Sequence, residues 1–281
     1  MRSVYIFHPF TKLMYFCCIV LFTLFLLHPF VIALNFVFAS LFAYFVAKRK
    51  YLQLMKFSAL FILPMMIINP LINHNGKTVM FDLFGNAITV EAFLYGIAHS
   101  FMLLTMLIWL LIMSATIPID AQLLLVNKLS KQMAMILSLA LYLLPQLKQQ
   151  FKMQLEVNKM LGLQGERQTI RGRLIIIKEV FIAVVTQALE NAMLTADSMI
   201  ARGFASTKRT TYMHYKWGKT DTFFSAFIIL FACILLFLTV KGAFSITYYP
   251  LLYIECSKQL FIGACIYSLF VLLPVVSEWR K

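Results

Sequence analysis

The sequence predicts an all-α polytopic membrane protein, with about six transmembrane helices and a long cytoplasmic pair of helices between the fourth and the fifth. Three observations predict it. Of 281 residues, 62% are hydrophobic and 13% charged, against roughly 45–50% and 25% in soluble domains, so water is not the main solvent of this fold. Apolar runs long enough to cross a bilayer recur along the chain, each closed by proline, glycine or charge. Finally, 22 of the 25 Lys and Arg fall on the same side once those runs are threaded through a membrane.

The first apolar run, Leu13 to Ala47, is too long for one helix. It breaks at His28-Pro29, where proline removes a helix hydrogen bond and pushes the residue before it out of the α region. Two spans result, roughly Leu13 to Leu27 and Phe30 to Ala47. Lys48-Arg49-Lys50 and Lys56 then form a cytoplasmic turn into a third span, Phe57 to Ile68, extended at both ends and stopped at Asn69-Pro70. Asn73 to Glu91 is polar and contains glycine, as an external loop would be. A fourth span runs from about Ala92 to Ala115 and ends before Pro118; the fifth and sixth are about Phe223 to Val240 and Leu260 to Val276. The chain thus divides into N-terminal spans (1–116), a cytoplasmic region (117–221) and C-terminal spans (222–281). Only Lys77, Lys241 and Lys258 lie outside, which orients both termini toward the cytoplasm. Arg2 and Lys12 ahead of an apolar run resemble a signal peptide, but no small-residue cleavage site follows and the N-terminus is expected to be retained.

The net charge of +14 could suit nucleic acid, yet the cations sit between apolar runs, as the positive-inside bias requires, so no nucleic-acid partner is expected. The five cysteines form no CxxC pair and are expected to be small buried hydrophobes.

The middle region contains two apolar stretches, Met133 to Leu147 and Leu174 to Val185, each shorter than about 18 residues and flanked or interrupted by charge, which favours interfacial or bundle-packed helices over spans. Asp120 can cap a short helix through Asn127. Ser130 can cap a longer one through Met160, bent near Pro145 and ended by Gly162 and Gly165. A third helix is expected from about Thr169 to Arg202, stopping at Gly203 where glycine is cheapest.

Enzyme signatures are missing. There is no GxxxxGK[ST] phosphate loop, so ATP cannot be bound in that manner and any driving energy must come from another subunit; HExxH and GxSxG are also absent. Polar groups within spans are few: His28 and Asn35 near the first hairpin, and His99 in the fourth span. His99 can be a ligand or proton relay, as ionisable groups in lipid often are, or a neutral imidazole bonded to a neighbouring helix.

Ala196-Asp197-Ser198-Met199-Ile200-Ala201-Arg202-Gly203-Phe204 resembles the signature of the transmembrane (T) component of energy-coupling factor transporters, a family related to the permease subunits of cobalt importers. The resemblance extends to His8-Pro9-Phe10-Thr11-Lys12-Leu13, to Asn69-Pro70-Leu71 with Asn75-Gly76, Leu83-Phe84-Gly85-Asn86 and Ile88-Thr89-Val90-Glu91, and to Leu143-Leu144-Pro145-Gln146-Leu147 and Leu189-Glu190-Asn191-Ala192.

The resemblance implies a non-catalytic importer subunit in a prokaryotic plasma membrane. Two coupling helices would each end in an Ala-Arg-Gly-like motif inserted into a groove of one of two ABC-type ATPases. Ala201-Arg202-Gly203 would be the second motif. The first falls on Met160-Leu161-Gly162, with Leu161 where arginine is expected and Lys159 or Arg167 near enough to substitute. ATP and magnesium would be bound by the partner ATPases, with no cofactor in this chain. A small membrane-embedded substrate-binding subunit, for a vitamin or metal ion, would sit on the apolar faces of the coupling helices, including Leu137, Leu141, Leu144, Ile176, Val180 and Val184; packing of the two helices against each other is the competing role for the same residues. A conventional ABC permease half and an intramembrane enzyme are the rival readings. The long two-helix segment separates the chain from the first, and the scatter of its intramembrane polar residues from the second.

Overall fold

A computed structural model of the chain describes residues 8–72, 76, 78–83, 86–119, 121–122, 125, 130–161, 170–204, 217–248, 253–254 and 258–278. Among the described residues, seven long helices carry it: α1 (Pro9–Phe25), α2 (Pro29–Ile72), α3 (Val90–Thr116), α4 (Lys131–Met160), α5 (Ile170–Ala201), α6 (Lys219–Val240) and α7 (Lys258–Glu278). Two small antiparallel hairpins join them, β1 (Val79–Leu83) with β2 (Asn86–Thr89) and β3 (Ile246–Thr247) with β4 (Tyr253–Ile254). The expected short helix between Asp120 and Asn127 lies largely outside the described residues. The chain forms two compact units, residues 1–121 with 215–281, and residues 122–214.

In the first unit, proline starts both early helices. Pro9 stands at the first position of α1, where its missing N–H costs nothing, and the His8 side chain accepts from Phe10 N. Pro29 opens α2 four residues after α1 ends. The cytoplasmic turn expected at Lys48 is a sharp break: Ala47, at φ −142° and ψ 49°, interrupts the helical geometry of α2. Contacts with α3 show that the chain reverses there. Before the break, Phe36 packs on Phe101 and Phe42 on Trp109, so the two helices run in the same direction. After it, Ser100 Oγ donates to Ile62 O while Gly96 lies against Met65, Met66 and Asn69, so they run in opposite directions. Gly96 and Ser100, four apart on one face, allow this close approach: a Cβ at Gly96 would meet Asn69 Cβ at 3.3 Å and Met65 O at 3.4 Å.

The same reasoning orients the other helices. Thr23 of α1 meets Asn35 of α2; Tyr15 and Phe22 of α1 meet Phe270 of α7, and Phe30 of α2 meets Phe261. The α6 start touches the α1 start through His8 and Asp221. Six helical segments, counting both halves of α2, therefore alternate in direction. Their shared core is built on Ile19, Trp109, Ile112, Ile228, Leu235 and Phe270, all fully buried. By length and composition, α2, α3 and α6 are long and apolar enough to cross a membrane, and α1 and residues 258–272 of α7 are shorter apolar helices. The chain is an all-α membrane protein by these measures.

Cysteines depart from expectation. Among the described residues, Cys17, Cys233 and Cys265 are exposed on their helices and Cys18 is half-buried; Cys256 lies outside the described residues. An apolar side chain on a helix surrounded by hydrocarbon has no need of the protein interior.

In the second unit, Ile176, Val180 and Val184 of α5 pack on Leu147, Phe151 and Leu155 of α4. Ser130 caps α4 as expected, accepting from Met133 N at 3.5 Å.

Candidate functional site

Each of the two helix ends singled out in the sequence is built by helix capping. The α5 end is a Schellman turn. Gly203 has φ +76°, a left-handed conformation that costs a side-chain-bearing residue about 1–2 kcal/mol. Phe204 N donates to Met199 O and Gly203 N to Ile200 O, both at 2.9 Å, satisfying carbonyls that would otherwise end the helix unpaired. Arg202 is thereby the C-cap. It is exposed, as are Ala201 and Phe204, at the helix end whose partial negative charge an arginine complements.

The described part of the α4 end stops at its C-cap. Leu161 is its C-cap, with its N–H bonded to Val157 O at 3.0 Å, and is 67% exposed beside an 86% exposed Met160. Leu161 and Arg202 thus hold the same structural position, although one is apolar and the other cationic. Gly162 and Arg167 lie outside the described residues. Lys159, the other substitute cation, is exposed in the last turn of α4. α5, 32 residues long, spans about 48 Å at 1.5 Å per residue, and it begins nine residues after Leu161. Two caps so placed present two tips rather than one.

The residues offered as a platform separate by burial. Ile176, Val180 and Val184 are 4%, 1% and 6% exposed, held between α4 and α5. Packing is the role the geometry gives them. Leu137 and Leu144 are exposed on α4, and Leu141 is half-buried.

Three polar constructions in the first unit escape motif reading. Asn35 donates through Nδ2 to Thr23 Oγ1 and accepts through Oδ1 from Trp109 Nε1, each at 3.0 Å, tying α1, α2 and α3 together in the apolar core. At one end of the unit, the buried Asp221 carboxylate accepts from His8 N at 2.7 Å and Gly218 N at 2.9 Å, so a single side chain caps the starts of both α1 and α6; the Trp217 ring packs against the His8 ring, 5.0 Å between centroids. At the opposite end, Tyr248 Oη donates to Leu27 O at 2.7 Å and its ring meets Tyr95, whose ring lies tilted against that of His99. Burial and the nearby Tyr95 push the Tyr248 hydroxyl up to about 12, so it remains a donor at any physiological pH. The only signal of these in the sequence was that polar residues are rare in apolar runs.

Among the described residues no three His, Cys, Asp or Glu side chains converge as metal ligands would. No protein-family model matches the chain, and no curated protein matches it.

Proposed function

We propose that this chain is the transmembrane coupling subunit of an ATP-driven energy-coupling factor importer in a prokaryotic plasma membrane. It passes motion from two separate ABC-type ATPases to a small membrane-embedded substrate-binding subunit for vitamin or metal-ion uptake, and catalyses nothing itself. The observation that carries the proposal is Arg202, exposed at the Schellman-closed end of a 32-residue helix, within the segment that resembles the family signature.

Further support comes from the two helix ends. Two long helices packed together, each ending in an exposed C-cap residue, suit two grooves on two ATPases. The Arg202 fork can pair bidentately with a carboxylate, whereas Met160 and Leu161 make the first contact an apolar one. Exposed Leu137 and Leu144 leave a surface on α4 for the substrate-binding subunit. ATP and magnesium are held by the ATPases and this chain holds no cofactor.

The six alternating segments are read as six transmembrane crossings. Lys12, Lys48, Arg49, Lys50 and Lys219 gather at the end of the unit where α1 and α6 start and α2 reverses. Lys241 and Lys258 belong to the opposite end. That asymmetry supports cytoplasmic N- and C-termini.

The test is copurification of the chain with its two ATPases, wild type against Arg202→Glu, alongside ATP-driven uptake. Charge reversal against a buried partner carboxylate costs about 2–5 kcal/mol, so one ATPase contact and uptake should be lost while the chain still elutes as a folded species. Unchanged assembly and uptake would remove the docking role from Arg202 and the proposal with it.

A further inference from the structure

The outward side of α5 presents an apolar stripe that α4 does not cover. Ile176, Val180 and Val184 face α4; at 100° per residue, Leu174, Ile175, Phe181, Ile182, Val185 and Leu189 fall on the other side of the helix, and all six are exposed. A helix apolar on both sides is one surrounded by protein or by lipid. From Leu174 to Leu189 the stripe is about 22 Å long at 1.5 Å per residue.

Its charge pattern selects between the two. Lys178 lies within the stripe and Glu179 at its edge, and both are exposed. A protein lid would have to supply a carboxylate for that ammonium, and the six apolar side chains offer no hydrogen-bonding group to set a protein partner's register. A bilayer surface meets both conditions: the lysine stem lies along the apolar stripe while its ammonium reaches up to the headgroups. On the adjoining α4, Lys148, Lys152 and Lys159 recur at intervals of four and seven, hence along one flank, and all are exposed.

We propose that the α4–α5 pair is a peripheral lipid-binding element: the outward stripe of α5 lies at the headgroup–acyl boundary of the bilayer, and Lys178 with the α4 lysines holds anionic phospholipid headgroups. The inference rests on the chain being a membrane protein and is independent of ATPase docking.

The test uses the full-length chain purified alone, so that failure here and failure of the docking proposal are told apart. Phe181→Trp is placed in nanodiscs of phosphatidylcholine with or without phosphatidylglycerol, and its emission, less that of the parent chain, is read with and without brominated acyl chains. Leu189→Trp serves as a second reporter should the first variant not fold. With phosphatidylglycerol, bromination should quench the reporter by about twofold, as for a side chain seated 5–10 Å into the interface. Quenching should weaken without phosphatidylglycerol and in a Lys148→Glu, Lys152→Glu, Lys178→Glu background. A red-shifted, unquenched reporter would overturn the proposal in favour of a water-facing helix, and a blue-shifted, unquenched one in favour of a protein cover such as a second copy. Quenching indifferent to lipid charge would overturn the role of anionic headgroups.

Discussion

At the residue scale, single polar side chains organise an otherwise apolar unit. Asn35 uses both ends of its amide, and replacing it strands the Trp109 N–H in a fully buried place. Interhelical hydrogen bonds within membranes average about 0.6 kcal/mol, and an orphaned buried donor adds about 1–3. Asn35→Leu should therefore lower stability by about 1–3 kcal/mol, read as a fall in midpoint on thermal unfolding in detergent; an unchanged midpoint would mean that apolar packing alone holds α1 to α3. His28, at the α1–α2 turn, is 1% exposed and neither ring nitrogen has a hydrogen-bond partner. Burial holds its pKa below the ordinary 6.5. The unfolded chain then binds the proton more readily than the folded one, so the neutral imidazole's contribution is whole above about pH 6.5 and is lost as pH falls below it. Wild-type melting temperature should drop between neutral and mildly acidic pH, and His28→Gln should flatten that drop.

At the element scale, helix ends matter more than helix middles. The α5 terminus depends on Gly203 at φ +76°. Gly203→Val should cost about 1–2 kcal/mol locally, fray the last turn and displace Arg202, with Gly203→Asn milder because asparagine tolerates this conformation. Faster amide exchange at residues 199–204 in the valine variant, with α4 unchanged, is the expected outcome. Equal exchange in all three proteins would show that the cap does not hold the tip. Such ends are legible in sequence: Ser130 and Gly203 mark them through residue types that few other backbone positions demand. The hairpins β1–β2 and β3–β4 were not legible, because strands of two to five residues leave too short a pattern within loops read as irregular.

At the scale of the whole molecule, six alternating helical segments place the α1–α2 turn and the β3–β4 hairpin at one end and the starts of α1 and α6 at the other. Single cysteines introduced at Thr247 and at Lys219, in a background cleared of native cysteines, should differ in intact cells. An impermeant maleimide should label the first from outside and reach the second only after permeabilisation. Labelling of both from outside would break the alternation.

The sequence by itself determined what depends on composition and local chemistry: the lipid environment, the approximate extent of most helices, and the glycine that ends α5. These follow from hydrophobicity and capping, whose physics is confined to a few neighbouring residues. Tertiary structure decided what depends on residues far apart in the chain. It joined the N- and C-terminal segments into one unit, turned α2 back on itself at Ala47, gave Asn35 its partners and one Asp221 carboxylate two helices to cap. It also assigned Ile176, Val180 and Val184 to the α4–α5 contact and left Leu174 and Phe181 outside, a choice that hydrophobicity cannot make because all five side chains are equally apolar and only the position of the neighbouring helix tells them apart.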